Sequence, residues 1–391
     1  MQPLCTPMEE YNLPLYRSWF PFLSAGKIWM NHAAVSPLSH RVREALDEHL
    51  RRCEVEEIDT FFSTLPVAAR TKVNLGKLIG SAPDRIAFVG NTSDGLSLLA
   101  SGLQWHAGDR ILLNDSEFPS NVVPFINLKR LGVEIDIMKT NQGEITPAQI
   151  EGLITPRTRL LSLSFVQFLS GFRADLASIG GVCRRHGVTF CVDAIQGLGA
   201  SPLDVGTMKI DFLACGGPKW LMGLLGLGFI YVSETLQNQI HQAYAGWKSN
   251  RNYFGDFLNY RIDFDEAARR YENGTLNLAG IVALCESTTT LLEVGIEKIQ
   301  AHLFDLTDML IAAADDVGFD LLTSRDRRYR AGIVTFRCSN AEQLFNSLKQ
   351  KNIIVSLREG MIRVSPHFYN SRDEVETLHA FLLHHSKTVA V

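Results

Sequence analysis

The chain has 391 residues, of which 46% are hydrophobic and 20% are charged, a composition typical of a soluble globular protein. Its 38 basic and 42 acidic residues leave a net charge of −4, so no broad positive field would attract nucleic acid or an anionic membrane. Because a single core stops growing beyond roughly 250–300 residues, the length predicts two domains.

The seven cysteines are scattered and none has CxxC spacing, so we expect neither a metal site nor a disulfide framework. The first ten residues lack the basic and apolar regions of a secretion signal. No run reaches the roughly 18 apolar residues that cross a bilayer. We therefore expect a cytoplasmic protein with no metal, no membrane partner and no nucleic-acid partner.

Residues 1–25 are rich in proline and aromatic side chains, which predicts an arm laid over another surface. From about residue 85, short β-rich runs alternate with amphipathic helices. This alternation predicts an α/β domain over residues 26–275, in which helices cover both faces of a mostly parallel sheet. The predicted strands are Ile86–Val89, Arg110–Asn114, Leu160–Ser164, Thr189–Val192, Phe212–Ala214 and Leu227–Val232, with helices starting near Ser93 and Asn121 and one running through Cys183.

The pattern changes near residue 275, where two long apolar-periodic helices follow each other. Strand-like stretches come next, and Ser371 to Glu374 has the form of a capping box that opens a final helix. Residues 276–391 are therefore predicted to form a smaller α+β domain. Its predicted elements are helices Ala279–Glu293 and one through Ala314, and strands Gly332–Arg337, Ile353–Ser356 and Met361–Ser365.

Two reactive side chains stand just after neighbouring predicted strands. Asp193 ends one strand, and Lys219 follows a Gly-Gly-Pro turn after the next. Ligands of such sheets bind beyond the carboxyl ends of the strands, where both side chains lie. A lysine that forms a Schiff base and an acid for a pyridinium nitrogen are what pyridoxal phosphate (PLP) requires. Each signal is weak alone, but together they favour a PLP enzyme in which Lys219 takes the substrate's α-proton and Asp193 keeps the ring nitrogen protonated.

Other residues at strand ends suit the rest of such a cofactor. Thr92 and Ser93 open a helix after a glycine turn, which makes a phosphate site, although a plain helix cap is the alternative. Phe118 is expected to stack on the open face of the ring, with core filling as the rival interpretation. Gln196, three residues after Asp193, is expected to hydrogen-bond the ring's phenolic oxygen.

Seven motifs occur in order along the chain, namely Asn31-His-Ala-Ala34, Asn91-Thr-Ser93, Glu117-Phe118, Asp193-Ala-Ile-Gln196, Lys219, Glu272-Asn-Gly-Thr275 and Arg363-Val-Ser-Pro-His-Phe-Tyr-Asn370. In this order they resemble the class V aminotransferase family of fold-type I PLP enzymes. That family includes cysteine desulfurases, selenocysteine lyases, isopenicillin-N epimerase-like proteins and kynureninases. The resemblance runs from about Ile28 to Asn370, nearly the whole chain.

The resemblance implies further roles. Thr275 would reach the phosphate of the other subunit, so active sites would be shared in a homodimer. Arg363 would hold the substrate's α-carboxylate, for which a planar guanidinium is suited; the alternative is a surface strand residue. Asn31 and His32 would line the substrate pocket, although each could equally serve packing.

Three departures from the family pattern narrow the function. Glycines and a proline precede Lys219 where many relatives have serine and histidine, so Thr92, Ser93 and Thr275 would hold the phosphate. Phe118 stands where desulfurases stack a histidine. The connection from Ser356 to Arg363 is too short for the loop that carries the desulfurase cysteine and contains no thiol.

We therefore expect a homodimeric PLP enzyme acting on an amino acid or an amino-acid-like substrate, aminotransferase-like in its chemistry. β-Elimination with C–S or C–Se cleavage and epimerisation remain alternatives because they share the first step. A catalytically silent PLP-binding protein is disfavoured because Lys219, Asp193 and Arg363 are all present. A Rossmann-type nucleotide binder is disfavoured because no G-x-G-x-x-G motif lies between the early strands.

Overall fold

Strands and helices alternate along residues 11–255 and 257–389, the part of the chain that the computed structural model describes. The strands are β1 Ile28–Trp29, β2 Ile86–Val89, β3 Arg110–Asn114, β4 Glu134–Met138, β5 Thr158–Ser164, β6 Thr189–Asp193, β7 Phe212–Gly216, β8 Gly228–Val232, β9 Asp320–Leu321, β10 Val334–Arg337, β11 Ile353–Ile354, β12 Ser356–Arg358 and β13 Met361–Val364. The helices are α1 Leu13–Ser18, α2 His40–Val55, α3 Phe61–Ile79, α4 Thr92–Gly102, α5 Val123–Ile126, α6 Pro147–Leu153, α7 Leu176–His186, α8 Glu234–Gln237, α9 Leu278–Val294, α10 Ile296–Asp316, α11 Ala341–Gln350 and α12 Arg372–Val389.

The large sheet has the strand order β2-β8-β7-β6-β5-β3-β4. Strand β8 is antiparallel to both of its neighbours, and the remaining pairs are parallel. The carboxyl ends of β3, β5, β6 and β7 therefore lie at one edge of the sheet. The predicted mostly parallel sheet is confirmed.

Two hydrophobic clusters cover the two faces of this sheet. Within β7, Leu213 and Cys215 belong to one cluster, whereas Phe212 and Ala214 belong to the other. Neighbouring residues of a strand point to opposite faces, so a strand buried on both sides reads as a continuous apolar run. Burial of each large apolar side chain contributes roughly 1.5–3 kcal/mol, and this holds the strand ends in fixed positions.

The helix predicted from Asn121 is shorter than expected. A 3₁₀ turn covers Pro119–Asn121, and α5 has only 4 residues. Pro119 and Pro124 both lack the backbone N–H that a continuing helix would use, so the chain turns repeatedly instead of forming one long helix. The turn keeps Phe118 at the edge of the sheet.

The small sheet is antiparallel, in the order β12-β13-β10-β9. The predicted strand over residues 353–356 is divided, because β11 pairs in parallel with β1 while β12 forms a hairpin with β13. The predicted capping box is present at the start of α12: the Ser371 amide donates to the Glu374 carboxylate at 3.0 Å, and the Glu374 amide donates to the Ser371 hydroxyl at 3.3 Å.

Residues 11–25 lie against the segment that leads into α12. The Tyr11 hydroxyl donates to the Phe368 carbonyl at 2.5 Å, and Arg17 pairs with Glu374 at 3.0 Å. The first ten residues of the predicted arm lie outside the described residues. In the described part of the chain, no single helix has the length and apolar composition to cross a membrane, and only α9 and α10 together, bent by 76°, meet that test.

Candidate active site

Asp193 and Lys219 meet at the carboxyl edge of the large sheet. Asp193 is the last residue of β6, paired in register with Ser164 of β5 and Ala214 of β7. Lys219 lies in the turn that follows β7. Burial raises the pKa of Asp193 to about 7, and the charge of Lys219 opposes that rise. Both groups thus lie at the sheet edge predicted from the sequence, and each affects the pKa of the other.

The environment of the Lys219 amine favours its neutral form by lowering its pKa. Burial lowers its pKa to about 8, Asp193 works against this shift, and the Arg363 charge adds to it. Its Nζ lies 5.5 Å from the centroid of the Phe118 ring. A lysine whose amine is partly neutral near physiological pH can act as a nucleophile and as a base.

The start of α4 provides donors for an anion. Asn91 caps the helix, since its side-chain oxygen accepts the amide of Asp94. The amides of Thr92 and Ser93 precede the first possible intrahelical acceptor and stay available. The Thr92 hydroxyl accepts the Gly216 amide at 3.0 Å, which leaves its proton free to donate, and Ser93 donates to the Ser120 hydroxyl at 2.8 Å.

Gly95 and Gly216 allow this helix end to approach the sheet closely. A Cβ on Gly95 would lie 2.6 Å from the Ile230 side chain, and one on Gly216 would lie 3.2 Å from the Thr92 hydroxyl. The close approach places the Thr92 hydroxyl beside the turn that carries Lys219. A phosphate bound at the α4 N-terminus would therefore lie next to the turn that carries Lys219.

Phe118 and Gln196 flank the space between these groups. The Phe118 ring is 43% exposed and makes an edge contact with Phe168, with centroids 5.3 Å apart. An exposed ring near the Lys219 amine is available for stacking on a planar ligand. Gln196 is buried, donates to the Ala33 carbonyl at 2.9 Å and accepts the Trp220 indole N–H at 2.9 Å. One of its two N–H groups remains for a ring oxygen.

Arg363 is a buried cation that lacks a carboxylate partner within the described residues. Its guanidinium donates to the Phe168 carbonyl at 2.6 Å and to the Ser356 hydroxyl at 3.4 Å, and its Nε has no partner in the described structure. Burial lowers its pKa to about 10, with a further contribution from Arg358. An uncompensated buried charge is destabilising by several kcal/mol, so this guanidinium is poised for an incoming anion.

Asn31 and His32 differ in what they contact. Ser356 donates to the Asn31 side-chain oxygen and also accepts from Arg363, so Asn31 helps to fix the guanidinium. His32 is fully buried, and its ring centroid lies 4.4 Å from that of His367. Burial holds its pKa well below the usual value, so His32 is neutral.

Thr275 shares a cleft with residues on either side of Thr92 and Ser93. It is exposed and lines a cleft of about 500 Å³ together with Gly90 and Asp94. Its hydroxyl makes no hydrogen bond within residues 11–255 and 257–389. The predicted contact with the phosphate of a second subunit stays a prediction.

Sequence reasoning gave no role to Glu117, which organises the floor of the site. Its buried carboxylate accepts hydrogen bonds from Asn114 at 2.6 Å, Asn121 at 2.9 Å, the Ser164 amide at 2.8 Å and Gln167 at 3.0 Å. Its negative charge also contributes to the raised pKa of Asp193. No local sequence pattern predicts a buried glutamate, and its position next to Phe118 is the only sequence signal that indicates a role.

The residues present fit PLP. Donors at α4 suit a phosphate, the Asp193 carboxylate suits a ring nitrogen, and the Lys219 amine interacts electrostatically with that carboxylate. The Gln167 side-chain oxygen is buried without a partner in the described structure, which leaves an acceptor for a ring hydroxyl. Such unpaired buried groups are rare unless a ligand or water satisfies them.

Cys191, Cys215 and Cys338 are poorly suited to act as nucleophiles, and burial raises the pKa of all three thiols. Cys215 is fully buried in β7, and burial raises its pKa well above the usual value. Strand β10 ends at Arg337, and Cys338 is half-buried in the turn before α11. The β12–β13 connection is only the two residues Glu359 and Gly360, since Arg358 pairs with Met361. The predicted short connection without a thiol is confirmed.

Comparisons with known proteins agree with this geometry. The family described as Aminotransferase class-V matches residues 28–378. An uncharacterized aminotransferase, YcbU, of Bacillus subtilis is 26% identical over 92% of this chain and 94% of its own length. Isopenicillin N epimerase of Streptomyces clavuligerus is 27% identical over 89% of this chain and 92% of its own length.

Solved structures share the fold. The apo cysteine desulfurase of Thermococcus onnurineus NA1 superposes with a TM-score of 0.87 at 23% identity, covering 95% of this chain and 97% of that chain. The cystine C-S lyase C-DES, in complex with its reaction product cysteine persulfide, superposes with a TM-score of 0.86 at 25% identity, covering 93% of this chain and 98% of that chain.

Proposed function

The chain belongs to the class V aminotransferase family of PLP-dependent enzymes, and from this premise we propose that it removes the α-proton of an amino acid held through its carboxylate by Arg363. The observation that carries this proposal is the buried Arg363 guanidinium, which has no carboxylate partner in the described structure. A protein that only bound PLP would not need to bury this charge. An α-carboxylate would supply the missing counter-ion and accept two parallel hydrogen bonds.

Different residues of the chain would bind the phosphate, protonate the ring nitrogen and remove the α-proton. Thr92, Ser93 and the free amides of α4 would hold the phosphate, and Asp193 would hold a proton on the ring nitrogen. When bound, the cofactor supplies a sink for the electron pair left at the substrate's α-carbon. Lys219 Nζ accepts the α-proton, because its lowered pKa leaves a neutral fraction near physiological pH.

Transamination, in which the substrate's amino group would finally pass to a keto acid, is the outcome that we propose first, because the chain belongs to the class V aminotransferase family. Direct β-elimination is the second candidate. It is supported by the similarity to a cystine C-S lyase and by the absence of a thiol on the β12–β13 turn. Epimerisation, named for one relative, shares the same first step.

We further propose a homodimer with shared active sites. Several large apolar side chains that follow β8 are exposed, including Phe257 at 63% and Ile262 at 76%, and they continue into an aromatic group with Phe62, Trp247 and Phe254. Contiguous exposed apolar surface of this kind supports an interface with a second copy. The exposed Thr275 follows the same segment and would project into the partner's site.

Hydrogen exchange at the substrate α-carbon tests the proposed function directly. Amino acids incubated in D₂O with the PLP-loaded protein should exchange their α-hydrogen, and parallel assays for keto acid, sulfide and racemisation should identify the outcome. Lys219→Ala is the negative control. No exchange from any amino acid would refute the proposal.

Arg363 gives a second test of the same function. Arg363→Gln should raise KM on the order of 10²–10³-fold through loss of a buried charge-assisted contact, with a smaller change in kcat. Arg363→Lys keeps the charge but loses the planar fork and should recover only part of the affinity. An unchanged KM in Arg363→Gln would exclude the carboxylate clamp.

A further inference from the structure

A cleft of about 390 Å³ opens between the two sheets beside the Arg363 site. Its walls include Asp115, Gln142 and Phe168 on one side and Arg337, Glu359 and Met361 on the other. We call this space the distal cleft. Its volume lies within the roughly 300–1,000 Å³ range of small-molecule sites.

Phe168 joins the distal cleft to the carboxylate site. Its backbone carbonyl accepts the Arg363 hydrogen bond at 2.6 Å, and its ring contacts Phe118, which lies beside the Lys219 amine. The same residue lines the cleft. A substrate held by Arg363 would therefore lie beside the distal cleft, with Phe168 between the cleft and the reacting carbon.

The register of the small sheet puts Arg337 on the same face as Arg363. Arg363 of β13 lies opposite Thr335 of β10, and Phe336 lies opposite Ile362. Continuing that register places Arg337 opposite Met361, where the Arg337 Nε donates to the Met361 sulfur at 3.3 Å. Thr335 and Arg363 point to the same face because they lie opposite each other, and Arg337 shares that face because it is two residues, about 7 Å, beyond Thr335. The guanidinium groups of Arg337 and Arg363 therefore project from one face of the small sheet.

Two charged side chains of the distal cleft, Arg337 and Glu359, are only weakly satisfied. Arg337 has one ion pair, to Asp320 at 3.7 Å, and both side chains are more than half exposed. Exposed pairs of this kind contribute little. Glu359 makes no hydrogen bond or ion pair within the described part of the chain. Of the four charged residues that line the cleft, Arg337 and Glu359 thus have room for further partners, whereas Asp115 and Glu117 already accept hydrogen bonds from neighbouring residues.

Two tight turns hold long polar side chains at the rim in an unusual backbone conformation. Gln142 and Glu359 have φ of 53° and 48°, and each precedes a glycine that also has positive φ. Two positive φ values in succession are typical of hairpin turns in which Asn or Gly normally takes the first position. Glutamine and glutamate are poor choices for that position on conformational grounds, which points to a role for their side chains in the cleft.

We propose that the distal cleft is a second substrate-recognition subsite, which binds the far end of an amino acid whose side chain carries its own ammonium and carboxylate. Arg337 binds the distal carboxylate and Glu359 binds the distal ammonium. A ligand with only a negative end would meet the Glu359 and Asp115 charges, and one with only a positive end would meet Arg337. This inference rests on the proposed function, because the near end of the substrate is held by Arg363.

Paired ligands test the subsite. L-Cystathionine carries a distal amino-acid head, whereas L-methionine is a similar thioether that ends before it. Titrations of the PLP-loaded protein, followed by cofactor absorbance after rapid mixing, should give a dissociation constant at least roughly tenfold lower for L-cystathionine, as expected for charge-assisted contacts. L-2-Aminoadipate and L-lysine, with one distal charge each, should bind less tightly than L-cystathionine, because each leaves one of the two cleft charges without a partner.

Variants assign the effect to individual residues. Arg337→Gln and Glu359→Gln should each remove most of the preference for L-cystathionine and leave L-methionine binding unchanged. Arg325→Gln, an exposed arginine paired with Asp315 outside the cleft, is the matched control and should keep the preference. Equal affinity for the two ligands in the unaltered protein, or equal weakening of both in Arg337→Gln, would overturn the subsite alone. No response to any amino acid would instead overturn the proposed function, and the subsite with it.

Discussion

Asp193 and Lys219 act on each other's ionisation across the edge of the large sheet. The buried carboxylate of Asp193 opposes the fall in the Lys219 pKa, and the lysine opposes the rise in the Asp193 pKa. Neither charge fully offsets the effect of burial on the other group, because burial is the largest contribution to both pKa shifts. In the function proposed above, a ring cation would give Asp193 a close partner while Lys219 keeps access to its neutral form.

Lys219 should carry the cofactor covalently. Borohydride reduction of the PLP-loaded protein, followed by peptide mapping, should place the pyridoxyl group on Lys219, because its amine is half-buried and has a lowered pKa. Lys209 is exposed, and Lys248 is buried against Glu272 at 3.6 Å. A pyridoxyl group on either of these lysines would refute the assignment.

Asp193→Asn should leave a folded protein with little turnover. Loss of the carboxylate removes the group that keeps the ring nitrogen protonated, which should lower kcat on the order of 10³-fold or more. Asp211→Asn is a suitable control, because Asp211 lies at the opposite end of β7 and accepts the Phe190 amide there. Near-normal kcat in Asp193→Asn would remove this role from the mechanism.

The same variant should change how the cofactor-free protein responds to pH. The pKa of Asp193 is raised from 3.8 to about 7, so the folded state binds a proton that the unfolded state has already released over that interval. The stability contributed by protonated Asp193 is complete below about 4 and is lost as the pH rises through about 7. Asparagine cannot ionise, so Asp193→Asn should gain stability relative to the unaltered protein between pH 5 and pH 8.

Urea unfolding at several pH values measures this difference. Its size should be on the order of a few kcal/mol at most. Asp315→Asn is the control, because the pKa of Asp315 is lowered by its hydrogen bonds to Arg325 and its effect should be constant between pH 5 and pH 8. A constant difference for Asp193→Asn as well would show that the Asp193 carboxylate is ionised across the whole range.

Shared active sites can be tested by mixing subunits. Lys219→Ala and Thr275→Ala should each lower activity, the first almost completely and the second through weaker phosphate binding. In a hybrid dimer, one site would combine the intact Lys219 of one subunit with the intact Thr275 of the other. Mixing the two variants after mild dissociation should therefore restore one fully active site per dimer.

The alternative arrangement gives a different result. If Thr275 served its own subunit, no hybrid site would contain both intact residues, and mixing would restore nothing beyond the Thr275→Ala activity. Sedimentation of the mixture establishes the assembly state independently. A fully active monomer would contradict the shared-site proposal outright.

The strand ends were predictable from sequence because apolar runs, turns and reactive side chains are local features. Asp193 and Lys219 were found in this way, and so was the turn before α4. Glu117 was not assigned a role, because its hydrogen bonds to Asn121, Ser164 and Gln167 join separate segments and leave no periodic signal.

The relation between Arg337 and Arg363 was also beyond sequence reasoning. It depends on the pairing register of β10 and β13, which the hydrophobic pattern of two short strands does not specify. The divided strand over residues 353–356 was missed for a similar reason, because β11 is paired with the distant β1. Local pattern thus located the chemical groups, whereas long-range pairing determined what surrounds them.

Activity should not depend on a protein thiol. A persulfide-forming mechanism needs a thiolate on a mobile loop that can reach the substrate sulfur. Cys215 is buried in β7 with a raised pKa, Cys338 is half-buried with its pKa also raised by burial, and the β12–β13 turn holds only Glu359 and Gly360. Cys338→Ala should therefore keep nearly full activity.

At Cys215, truncation to alanine leaves a cavity because the side chain is fully buried, so Cys215→Ser is made alongside it. Cys215→Ser and Cys215→Ala should lose some thermal stability yet keep kcat per folded molecule within a few-fold, since neither change touches Lys219 or Arg363. Mass spectrometry after incubation with L-cysteine gives a second readout that does not depend on stability. A persulfide on Cys215 or Cys338 would show that the protein uses a thiol carrier after all, and the elimination candidate would then have to be replaced by a desulfurase mechanism.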